Sequence, residues 1–274
     1  MRIRLLALAG LLASAPALAD SPRRVVSINL CADQLLLAFL PPDRIASLSP
    51  LARDPLYSAL AERARAIPDN SGRGESILLT DADLVLAGTF ESRMRRELLV
   101  RHGFDVMTLK PWGSLDEGRA QVRALAARLG VEPAGERLVA AIDDALARSR
   151  GAAPARRSIL VLQRRGYTPG DMTILDELLR HMGLAPSTER LGLRHGGTVS
   201  LERLVADPPD YLLTSAEDGD AVDQGSALLF HPALARIVPG ERRLALPGRL
   251  SLCGGPSTPM AIDALADEVR RKVR

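Results

Sequence analysis

Two rhythms alternate along this chain. Short, continuous apolar runs occupy residues 24–28, 44–48, 83–87 and 105–109 of the first half. Between them, apolar positions return every three or four residues, over 33–40, where Pro41-Pro42 stops the pattern, and over 91–102, where Gly103 closes it. Runs of the first kind predict strands buried on both faces, and the second kind predicts helices. From 114 to 149 no strand pattern occurs. Ser114 with Glu117 three residues on is a capping-box pair. Leu129-Gly130 reads as a helix stop, and Pro133 suits the first turn of a new helix. The alternation then resumes, with strands expected at 158–162, 211–214 and 243–246 and helices at 173–182, 201–205 and 259–273. The expected fold is α/β: two lobes of mainly parallel sheet flanked by helices, joined by one long helix. The division that follows is residues 20–133, an interlobe helix at 134–153, and 154–274.

A second regularity links the halves. Residues 74–87 and 200–214 follow one plan: a Glu in the first turn of a short helix, an Asp-bearing turn, then a buried apolar strand. The two acids are Glu75 and Glu202. An acid in a first helical turn also complements the helix dipole and needs no partner for that. Two at matching places in two lobes predict a symmetric docking surface for something basic.

The N-terminus changes the charge count. Arg2 and Arg4, the apolar stretch 5–12 and the small residues Ala17-Leu18-Ala19 have the form of an export signal cleaved after Ala19. The apolar run is shorter than the roughly 20 residues a membrane-spanning helix needs. No Cys follows the cleavage site to carry a lipid, so a soluble periplasmic protein is expected. Removing Arg2 and Arg4 lowers the 36 basic residues to 34 against 33 acidic ones, a net of +1. That balance, with no basic block, argues against a nucleic-acid partner. Cys31 and Cys253 are the two cysteines. An oxidising compartment permits a bond between them, but spacing does not decide it.

Strand, helix, Glu-led short helix and mid-chain helix, in this order, resemble the periplasmic binding proteins for ferric siderophores, haem and cobalamin. The strongest segments are 24–40, 75–87, 103–109, 170–183 and 201–214. The resemblance implies a monomeric, non-enzymatic component of an ABC importer. Its ligand, a small metal complex carried as cargo and not as a cofactor, would lie between the lobes. It also implies that Glu75 and Glu202 meet Arg residues on the two permease subunits at the inner membrane.

Ligands of open parallel sheets gather where strands end. The residues following the expected strands supply the candidates. Trp112, Phe90 and Tyr167 offer flat apolar contact. Arg164 and Arg165 offer forks for carboxylates or catecholates. Arg73, between two glycines, is a weaker candidate. Cys31 and Cys253 both fall in strand-to-helix loops, where a disulfide, thiol contact with a ligand and plain burial all remain open. His102, His181, His195 and His231 are too dispersed for a metal site. Among chelates the order of expectation is ferric siderophore, cobalamin, then haem. An exported hydrolase is the rival class, weakened by the lack of Gly-x-Ser-x-Gly. A module of the same fold with no transport role is the other.

Overall fold

A computed structural model describes residues 21–71, 74–219 and 223–274. The export-signal reading of residues 1–19 and the candidate Arg73 lie outside them. The first half contains strands β1 (Val25–Ser27), β2 (Ile45–Ser47), β3 (Leu84–Gly88) and β4 (Asp105–Leu109). Its helices are α1 (Leu30–Phe39), α2 (Ala61–Ala64), α3 (Gly74–Leu78) and α4 (Arg93–Arg101). Two long helices follow, α5 (Leu115–Leu129) and α6 (Glu132–Ser149). The second half holds strands β5 (Ser158–Val161), β6 (Tyr167–Thr168), β7 (Ala185–Pro186), β8 (Gly197–Thr198), β9 (Tyr211–Ser215) and β10 (Arg243–Leu246). Between and after them come helices α7 (Ile174–His181), α8 (Leu201–Ala206), α9 (Pro232–Ile237), α10 (Gly248–Ser251) and α11 (Thr258–Lys272).

Each half builds one four-stranded sheet, and every pairing within both sheets is parallel. The orders are β2-β1-β3-β4 and β7-β5-β9-β10. Counted among the strands of each sheet, both are second, first, third, fourth. The halves therefore share one topology, with equivalent switch points at β1/β3 and β5/β9.

Why the strands read as unbroken apolar runs is visible in the packing. Val25, Leu84 and Leu86 belong to a large core, while the alternating Val26 and Val85 join Ile77 and Leu99 in a smaller one on the opposite face. In the second sheet Ile159, Val161 and Leu213 face the same large core, and Leu160, Leu162 and Leu212 face a third cluster. Successive side chains point to opposite faces, so a strand covered twice must be apolar throughout. The large core is continuous across both halves through α5, α6 and α11.

The α5–α6 turn shows the sequence signals at work. Ser114 Oγ accepts the Glu117 N–H at 3.2 Å, but the Glu117 carboxylate takes the Gly113 N–H at 3.1 Å, one residue before the cap. Gly130 ends α5 in the left-handed region at φ 67°, and the Val131 N–H reaches back to the Ala126 carbonyl at 2.8 Å. That bond is the Schellman closure a glycine permits. The two helices then lie against each other with Arg123–Glu136 and Arg119–Asp143 pairs across the seam. Helix α11 packs on α6, where Arg148 holds Asp263.

Helix α1 begins at Leu30, three residues before the expected start, because the Asn29 side chain caps it, accepting the N–H groups of Cys31 and Ala32. Strand β7, the β6–β8 ribbon and the short α9 and α10 carried no periodic signal. Two residues, one of them proline, are too few to show a period.

Candidate functional site

Strand ends from both halves converge on two adjoining cavities. The larger, about 480 Å³, is lined by the ends of β5, β9 and β10, by α10 with Leu252, and by Leu56 and Tyr57 of the first half. The smaller, about 230 Å³, is lined by Asn29 and Cys31, by residues following β3 and β4, and by Leu252 and Gly254. Leu252 belongs to both linings and partitions them. The larger cavity falls within the roughly 300–1,000 Å³ typical of small-molecule sites.

Aliphatic side chains from both halves line it, Leu56, Val161, Leu175, Leu213, Leu246 and Leu252, beside polar ones that include Gln163, Arg164, Thr214 and Glu217. Tyr57 enters from a loop, is 42% exposed, and its phenol has no hydrogen-bond partner among the described residues. In the same lining the Glu217 carboxylate takes the Ser215 hydroxyl and the Gly248 N–H, the latter at 2.9 Å. Burial pushes that carboxyl up, yet these bonds and the Arg249 charge outweigh it and hold it below the usual carboxylate range. Glu217 thus braces the start of α10 as an anion.

The expected site residues separate. Arg164 lines the larger cavity, with its guanidinium on Asp223 at 2.6 Å. That bond is the first cause holding the Asp223 carboxyl low. Arg165 lies outside both linings, exposed at φ 58° with its N–H on the Gly225 carbonyl. Tyr167 lies in the β6–β8 ribbon, also away from both cavities. Phe90 stands on the rim of the smaller cavity, 92% exposed.

Trp112 is buried against the smaller cavity, its ring seated over Gly118 of α5 and Gly254 of the second half. A side chain at either glycine would occupy the ring's place. Its indole Nε1 is buried without a partner among the described residues. Cys31 and Cys253 are joined in a disulfide, which ties the first turn of α1 to the loop before α11. Of the three open readings for these cysteines, the bonded one is what the structure contains. Among the described residues no group of three or more His, Cys, Asp or Glu stands close enough to hold a metal ion.

Glu75 and Glu202 are both exposed, on α3 and α8, each nine residues ahead of the first residue of the third strand of its sheet. Neither forms an ion pair among the described residues. The Glu202 carboxyl is lowered by its own backbone N–H and by the Ser200 hydroxyl.

Sequence reading missed the loop that carries Leu56 and Tyr57. Its segment 49–60 is irregular, with two prolines and no period. The available signal was Tyr57 itself, an aromatic in a turn-rich segment. Ser215 and Glu217 follow an expected strand, but their bracing of α10 depends on Gly248, thirty-one residues beyond Glu217.

The profile of the periplasmic binding proteins matches residues 25–239. The chain belongs to this family. Its members are substrate-binding components of ABC importers, which places this periplasmic binding protein outside the cytoplasm. No curated protein matches the chain. Solved structures do. The periplasmic haem-binding protein RhuT from Roseiflexus sp. RS-1 is 24% identical, over 92% of this chain and 98% of that one, with a TM-score of 0.75. BhuT in complex with two haems is 24% identical, over 91% and 100%, with a TM-score of 0.69. A periplasmic haem-binding protein from Pseudomonas aeruginosa is 19% identical, over 92% and 94%, with a TM-score of 0.73. At these identities the likeness establishes the two-lobed fold.

Proposed function

We propose that this periplasmic binding protein captures a haem-type iron chelate between its lobes and hands it to a membrane permease. The observation that carries the reading is Tyr57, a phenol with no partner among the described residues, in a cavity that also presents six aliphatic side chains. Phenolate oxygen is a hard donor that holds ferric haem iron in other proteins. Leucine and valine walls suit the apolar faces of a macrocycle. Arg164 adds a cation to the lining for a peripheral carboxylate. RhuT, BhuT and the Pseudomonas aeruginosa protein, all haem-binding, favour the same class. Smaller roles at the cleft fall to Trp112 and Phe90, which line the adjoining cavity. Arg165 and Tyr167 have no part in this reading.

Delivery rests on Glu75 and Glu202, the acids at equivalent places in the two lobes. Exposed ion pairs are each worth about 0–1 kcal/mol, so they set register more than affinity. We assign the lobes to residues 20–133 and 154–274, with 134–153 between them, and the protein acts as a monomer after export and cleavage following Ala19.

Titrating the purified protein with ferric haem tests the ligand. The expected result is a saturable tyrosinate-to-iron charge-transfer band that Tyr57→Phe removes. No saturable change with haem, alongside saturable quenching of Trp112 by a ferric siderophore or cobalamin, overturns the haem assignment.

A further inference from the structure

The first turn of α1 is bonded to segments that carry both walls of the larger cavity. Through Cys31 it is bonded to Cys253, next to Leu252 of the second-half wall. Two and three residues on, Asp33 and Gln34 are fully buried and reach the other way. Asp33 accepts two hydrogen bonds from Ser49, one from the N–H at 3.1 Å and one from the hydroxyl. Gln34 Oε1 accepts the Ala59 N–H at 3.2 Å. Ser49 and Ala59 are the two feet of an arch whose crest presents Leu56 and Tyr57 to the cavity.

Inside the arch the bonds are short-range. The Ala52 N–H reaches Ser49 O, the Leu56 N–H reaches Asp54 Oδ1, and the Tyr57 and Ser58 N–H groups reach Asp54 O. Its one regular piece is the 3-10 turn Pro50–Arg53. On its flank Arg53 pairs with Asp69 at 3.2 Å. Such a segment keeps its own curvature, but its placement over the cleft is set from outside. Gln34 is informative here. Its Nε2 is buried without a partner among the described residues, so an amide is kept in the interior with one bond, the one to the arch. Buried bonds of this kind hold geometry because no water replaces them when they break.

We propose that Asp33 and Gln34 are positioning residues for ligand capture: side by side on α1, they clamp both feet of the 49–59 arch and fix Tyr57 relative to the Leu252 wall. The ligand part of this inference rests on the reading of Tyr57 given above, and the clamp itself does not.

Two measurements test it. In the ligand-free protein, Gln34→Leu removes one anchoring bond and should speed hydrogen exchange at the Ala59 amide about tenfold, and Asp33→Ala removes two and should speed it at the Ser49 amide by at least as much, with β3 and β9 amides unchanged. Asp33→Asn keeps an oxygen for the Ser49 N–H and should restore protection. Arch exchange at the wild-type rate in Gln34→Leu overturns the clamp, and that variant carries the test if Asp33→Ala does not fold. With ferric haem as probe, Gln34→Leu should weaken affinity about tenfold in the wild-type background and less than about twofold beside Tyr57→Phe. Equal losses in both backgrounds overturn the positioning role. A wild-type protein that binds no haem sinks the haem assignment alone, and the exchange result then decides the clamp.

Discussion

Replacing Asp33 by Asn should change how stability depends on pH more than it changes stability at any one pH. Asp33 is fully buried at the start of α1, and desolvation raises its carboxyl from 3.8 to about 7 against the opposing bonds from Ser27 and Ser49. A folded value above the unfolded one means that the folded state binds the proton more tightly. The contribution to stability is therefore complete below pH 3.8 and is lost as pH rises through 7. From 3.8 to about 7 is roughly three decades of proton affinity, worth about 4 kcal/mol at about 1.4 kcal/mol per decade. Asn keeps the shape and an acceptor for the Ser49 N–H and carries no titrating group. Urea unfolding of both proteins at pH 4, 6 and 8, with the disulfide intact, isolates the effect, since every other group titrates in both. The unfolding free energy of Asp33→Asn should gain about 4 kcal/mol on the wild type between pH 4 and 8, most of it before pH 7. A difference that stays constant across this range refutes the reasoning.

Three further outcomes are expected. Cys31→Ser with Cys253→Ser opens a covalent loop spanning 222 residues of sequence. Chain entropy sets its cost at up to about 5 kcal/mol, read as a lower Tm in calorimetry, and an unchanged Tm would contradict it. Gly254→Ala puts a methyl where the Trp112 ring sits. Overpacking of this kind costs about 1–3 kcal/mol, and displacement of the indole should shift Trp112 fluorescence to the red. An unshifted spectrum would place the ring elsewhere. Glu75→Ala with Glu202→Ala should leave ligand affinity unchanged and abolish uptake in cells, whereas normal uptake would remove these acids from docking.

Most of the framework was legible because burial on two faces leaves a mark on local sequence. Residues 105–109 and 243–246 match β4 and β10 residue for residue, and the helix stop at Gly130 falls where the left-handed cap is needed. Of the expected site residues, those that follow strand ends closely line the cavities, Arg164 the larger and Trp112 the smaller. Arg165 lies outside both linings although it adjoins Arg164, and its backbone is left-handed at that residue. Tyr57 was missed because nothing periodic marks an arch that is shaped by anchors sixteen and twenty-five residues away in sequence.

The amino-acid order by itself determined the longer strands, the long mid-chain helices and the matching places of Glu75 and Glu202, since period and capping act over a few residues. Tertiary structure alone decided that Cys31 meets Cys253, that Leu252 divides one cavity from the next, and that α1 holds the loop bearing Tyr57. These contacts join residues far apart along the chain, and only the packing of two sheets around a shared core brings them together.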